Sequence, residues 1–216
     1  MTSVHLRSAV LVVLAATSPL PQLLAQEVTI GLYGGALIPT KHLREIRQPG
    51  IYQYQQTLAA PTLAARVAVG LVGPVSLEVL GGTSSANHKT HVDFFTDPNF
   101  ETDGNVQFAA VRLLATLLRS GRTRPTVSVG LGVTRRHFEF VGGPGEATST
   151  AEGLSASVGV TQLLGPVIAL RLSAEFFSYS PDNMTFTPSP GVQATVTDPR
   201  QFDVGLLLGL DLRFRH

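Results

Sequence analysis

The chain has 216 residues, with 16 lysines and arginines against 15 aspartates and glutamates, and neither cysteine nor tryptophan. Only 14% of residues are charged and 44% are hydrophobic, so the chain lacks the basic footprint of a nucleic-acid binder. The absence of cysteine excludes disulfides, thiolate metal sites and thiol catalysis.

In chain order, Arg7 precedes an apolar run, Ala9 to Ala16, which Pro19 and Pro21 break. This pattern predicts an export signal over residues 1–25, cut after Ala25, with 26–216 as a single domain. The run is too short to cross a membrane as a helix. Without Arg7, basic and acidic residues balance.

Eight segments with a period of two follow: 28–37, 62–71, 75–84, 105–117, 126–135, 153–162, 167–179 and 201–214. Internal glycines and alternating β-branched residues make them strands rather than helices. Only AAVRLLATLLR (109–119) also suits a helix, and its place in the hairpin series assigns it as a strand. The connections alternate long and short. Ile38–Pro61, Ser85–Gly104, Arg136–Glu152 and Ser180–Arg200 are long; Val72–Pro74, Leu118–Pro125 and Leu163–Pro166 are short. Leu71-Val72-Gly73-Pro74-Val75 and Leu163-Leu164-Gly165-Pro166-Val167 nearly repeat, which predicts equivalent hairpins.

One parity of every strand is free of charge, as in Ile30, Leu32, Leu63, Val67, Leu113, Val129, Leu131, Val158, Leu172, Leu208 and Phe214. The other parity carries small residues together with Arg66, Glu78, Arg112, Arg171, Glu175, Asp203, Asp211 and Arg213. A lipid-carrying soluble barrel needs the reverse arrangement, apolar inside and polar outside. A sandwich with the apolar face as its core is the alternative reading, disfavoured by the one-sided loop lengths. An arginine facing hydrocarbon at midplane costs roughly 2–4 kcal/mol, so the apolar face is assigned to lipid and the charged face to a lumen. The prediction is an all-β, eight-stranded antiparallel up-and-down transmembrane barrel with short periplasmic turns and long outer loops.

The signal, the eight alternating strands, the loop asymmetry and the last strand Phe202–Phe214 together resemble the eight-stranded outer-membrane barrels of the OmpA/OmpX type. The resemblance implies the cell outer membrane of a Gram-negative-type bacterium, with lipid and the barrel-assembly machinery as partners. In that family the last strand ends the chain on an aromatic; here Arg215 and His216 follow Phe214.

Eight strands enclose an interior that side chains can fill. Arg66, Glu78, Arg112, Arg171, Glu175 and Asp203 are the expected lumen charge network, with Arg66 and Glu78 diagonal across one hairpin. A static network is favoured over a gate for a narrow ion path. Among the loops, Ser85–Gly104 concentrates His88, His91, Asp93, Asp97, Glu101 and Asp103, which reads as a solvated loop rather than a metal site. Phe94, Phe95 and Phe100 on the same loop are the candidates for contact with an extracellular ligand or surface. A lipid-modifying enzyme needs a serine oriented by a histidine. His137 is the nearest candidate and no such serine accompanies it. Phosphate-cradling, nucleotide and protease motifs are absent, and neither cofactor nor metal is expected. The expected function is a structural or surface-interaction role, with a porin-like narrow pore as the alternative.

Overall fold

A computed structural model describes residues 27–40, 44–48, 51–85, 88–92, 99–102, 104–118, 120–139, 146–180 and 201–215. The expected export signal, Phe94 and Phe95 lie outside the described residues. Among the described residues twelve strands appear: β1 (Glu27–Pro39), β2 (Arg44–Gln48), β3 (Ile51–Thr57), β4 (Ala60–Val72), β5 (Val75–Ser84), β6 (His88–Val92), β7 (Asn99–Thr102), β8 (Gly104–Thr116), β9 (Thr123–Glu139), β10 (Glu146–Leu163), β11 (Ile168–Tyr179) and β12 (Gln201–Arg215). No helix occurs among the described residues.

Eight of these strands close a barrel in the order β1-β12-β11-β10-β9-β8-β5-β4, every pair antiparallel. β1 pairs on one side with β12 and on the other with β4, so the ladder has no free edge. That closure replaces the sandwich alternative with a barrel. The segment 109–119 is strand as far as Thr116.

The alternation follows the expected phase. Leu32 is 72% exposed, Leu63 and Leu131 69%, and Val129 61%, while Arg66, Glu78, Arg112 and Arg171 point inward and are buried. Leaving one leucine-sized side chain in water forgoes about 1.5–3 kcal/mol. A belt of this size therefore requires hydrocarbon around it.

The structure adds detail at both ends. β9 and β10 run beyond their expected limits, to Glu139 and back to Glu146, paired from Glu146↔Glu139 to Gln162↔Thr123. The two long connections Ile38–Pro61 and Ser85–Gly104 carry strands of their own, and these form a four-stranded sheet ordered β2-β3-β6-β7. Alternating Tyr52 and Tyr54 in Ile51–Thr57 suit a strand.

At the short-turn end the near-repeat does not produce equivalent hairpins. Val72 pairs with Val75 around Gly73-Pro74, with Gly73 in the left-handed region at φ 55°. The second copy is a wider connection in which Leu164 N and Gly165 N both donate to Ile168 O, at 3.0 and 3.2 Å.

Candidate functional site

The inward face of the strands builds a filled interior. Two inward aromatics lie against glycines of the neighbouring strand. Phe108 covers Gly82, where a β-carbon would collide with its ring, and Tyr33 covers Gly209, where the nearest ring carbon would stand 2.5 Å from a β-carbon. Phe108 and Phe177 meet at 5.1 Å between ring centroids. With Leu80, Leu207 and Tyr179 they form a buried apolar cluster inside the wall.

Beside this cluster lies a charge network. Glu78 on β5, with no exposure, takes Arg66 of β4 on Oε2 at 2.8 Å and Arg112 of β8 on Oε1. Arg112 reaches Glu78 with Nε at 2.9 Å and Nη2 at 2.6 Å, and it also pairs with Glu175 of β11. Arg66 continues to Asp211 of β12 at 2.5 Å, and the Tyr33 hydroxyl donates to the same carboxylate. Arg171 of β11 stands 3.9 Å from Glu78. Three arginines thus face three carboxylates, and the charges cancel. Arg112 and Arg171 are the largest fully buried side chains in the described chain. A charge desolvated to this extent persists only when it is paired.

Two smaller groups flank the network. Towards the long-loop end, Arg136 of β9 pairs with Asp203 of β12 and lies over the Tyr179 ring at 5.3 Å, and the Tyr179 hydroxyl donates to Asp203 at 2.7 Å. At the short-turn mouth, Arg213 grips both oxygens of Glu27 at 2.7 and 2.9 Å, a bidentate pair.

Of the residues singled out in the sequence, Arg66, Glu78, Arg112, Arg171 and Glu175 meet in one network. Asp203 lies apart, with Arg136 and Tyr179, because it sits near the start of β12 while Asp211 sits near its end. Sequence reasoning missed Arg136, Tyr33 and Tyr179 as lumen groups. Arg136 follows the expected end of its strand, and only the continuation of β9 to Glu139 turns it inward. Phe100 lies in β7, its backbone paired with Thr90. His137 is half-buried, and its ladder partners are Asn105 and Thr148.

No protein-family model and no curated protein sequence matches the chain. Solved structures do match its fold. The outer membrane protein OprG from Pseudomonas aeruginosa superposes with a TM-score of 0.63 at 12% identity, over 89% of this chain and 97% of that one. Ail, the attachment invasion locus protein of Yersinia pestis, solved with the heparin analogue sucrose octasulfate, gives 0.51 at 11% identity, over 88% and 100%. The outer membrane protease OmpT from Escherichia coli gives 0.51 at 9% identity, over 88% and 97%. The fold is that of the outer-membrane β-barrels. Since the same architecture carries a protease and an attachment protein, it does not by itself assign a role.

Proposed function

We propose that the chain is an integral outer-membrane protein of a Gram-negative-type cell whose barrel is a filled anchor and whose work is contact at the long-loop end. In this reading the short turns face the periplasm, lipid surrounds the apolar belt, and the assembly machinery inserts the barrel. The observation that carries it is the interior, where a charge-balanced ion-pair network packs beside a cluster of Tyr33, Leu80, Phe108, Phe177 and Leu207. Ions crossing such a lumen would have to part buried guanidinium–carboxylate pairs, so conduction is not the role. Neither that network nor that cluster contains a histidine, which speaks against acyl-transfer chemistry in the packed interior.

What remains is the long-loop end. There two of the long connections, Ile38–Pro61 and Ser85–Gly104, build the β2-β3-β6-β7 sheet, a surface on which a partner can dock. Phe94, Phe95 and Phe100 are proposed as its contact residues, and the sulfated sugar that Ail holds offers a first class of ligand to try.

The experiment pairs two readouts on one set of proteins. Cells displaying the parent should adhere to a sulfated-glycan surface or to host-type matrix, and Phe94→Ala/Phe95→Ala should lose that adhesion while still assembling. In planar bilayers, parent and Arg66→Ala should both conduct weakly. A large conductance rise in Arg66→Ala, with adhesion untouched by the phenylalanine changes, would replace the anchor with a gated pore.

A further inference from the structure

Beneath the charge network, towards the short-turn mouth, the lumen holds a cavity of about 70 Å³. That is room for several waters or one tetrahedral oxyanion. Its lining has four arginines, Arg66, Arg124, Arg171 and Arg213, against two carboxylates, Glu27 and Asp211. Both carboxylates are engaged already: Glu27 is gripped by Arg213, and Asp211 receives Arg66 and Tyr33. Arg66, Arg171 and Asp211 belong to the neutral network above, so the lining adds Arg124 and Arg213 against Glu27, one positive charge in excess, in a space walled off from bulk solvent on its sides.

Two residues of this lining, Arg171 and Thr126, each carry a donor without a hydrogen-bond partner. Arg171 is 1% exposed, and its Nη2 makes no hydrogen bond. Among the described residues the one carboxylate within 4 Å of it is Glu78, at 3.9 Å, and each oxygen of Glu78 already accepts from Arg66 or Arg112. Thr126 is 4% exposed, and its Oγ1 is likewise without a partner. A buried guanidinium nitrogen and a buried hydroxyl left unsatisfied beside the same cavity are costly unless something accepts from them.

We propose that this vestibule binds one small free oxyanion of the phosphate or sulfate class, accepting from Arg171 Nη2 and Thr126 Oγ1 in the field of the surrounding arginines. Such an anion has acceptor oxygens in several directions and matches the planar guanidinium donors. A chloride ion lacks that geometry. A phospholipid headgroup carries the same phosphate, but its acyl chains would have to enter the lumen with it, so the ligand is the free anion.

Calorimetric titration of the full barrel in detergent, with sodium phosphate against sodium chloride at matched ionic strength, tests this. Expected is saturable binding of one phosphate per barrel that chloride does not reproduce, weakened about tenfold by Arg171→Gln and several-fold by Thr126→Val. Heat-modifiable migration verifies that each variant is folded. Thr126→Val changes no charge, so it decides the matter if Arg171→Gln fails to assemble. Absence of saturable phosphate binding, or parental affinity in Thr126→Val, overturns the proposal. So does a phosphorus NMR signal of immobilised lipid phosphate, lost in Thr126→Val, in vesicles free of inorganic phosphate, because the occupant would then be a headgroup.

Discussion

Replacing Glu78 by glutamine keeps the volume of the side chain and removes one charge from the centre of the lumen. In the parent, Glu78 accepts from Arg66 at 2.8 Å and from Arg112 at 2.9 Å, has Arg171 at 3.9 Å, and is fully buried. The variant leaves three guanidinium groups facing Asp211 and Glu175 alone, one positive charge in excess in a dehydrated space. Breaking a buried pair in this way costs roughly 3–5 kcal/mol. Adding Arg112→Gln removes the excess, leaving Arg66 and Arg171 against Asp211 and Glu175. The double variant should therefore be more stable than the sum of the single effects by about 2 kcal/mol, within the range measured for groups sharing one network. Urea unfolding in lipid vesicles, followed by heat-modifiable migration because the chain has no tryptophan, measures all four corners of the cycle. A loss below about 1 kcal/mol for Glu78→Gln, or strict additivity in the double variant, would refute the claim that these charges are dehydrated and coupled.

Leu208→Arg and Val129→Arg, both on the exposed apolar belt, should each cost about 2–4 kcal/mol in a bilayer. A graded series along β12 should show the penalty fading towards the strand ends, and a flat profile would contradict lipid contact. Gly209→Ala would set a β-carbon against both the backbone carbonyl of Leu32 and the Tyr33 ring and should destabilise by about 1–3 kcal/mol through overpacking in the same urea assay. Gly73→Ala should cost about 1 kcal/mol because φ is 55° there. Gly165→Ala, with ordinary φ and open space around its position, should be neutral in parallel unfolding curves, although the two turns read almost alike.

The barrel was legible because a transmembrane ladder imposes one rule at every position. Each outward residue must tolerate lipid and each inward residue may be polar, so a charge such as Arg112 fixes the phase of its whole strand. The lumen network was half legible for the same reason, since parity tells which side chains share the interior. It does not tell which of them meet. Asp203 and Asp211 share a strand and a face, yet one turns to Arg136 and Tyr179 and the other to Arg66 and Tyr33. Partner choice across a lumen depends on strand tilt and stagger, which hydrophobic period does not encode. The two inward tyrosines escaped notice because a buried aromatic on a polar parity reads as an exception until a cross-strand glycine is seen beneath it. The β2-β3-β6-β7 sheet escaped because its strands are short, and the alternation of Tyr52 and Tyr54 is too brief to mark a strand by itself.

The interior bonds also constrain the order of assembly. Tyr33 and Asp211 are 178 positions apart in the chain, Arg66 and Asp211 145, and Arg213 and Glu27 186. All three join the first strands to the last. None can form until β12 has docked on β1, because β12 carries the far partner in each case. An open, partly inserted sheet would therefore present Arg66, Asp211 and Arg213 unpaired, on a face that must stay wet. Water can leave the lumen only when the last seam shuts. Dehydration of the charges and closure of the wall are one event, and a chain that stalls before the final strand arrives has no stable resting place in the hydrocarbon.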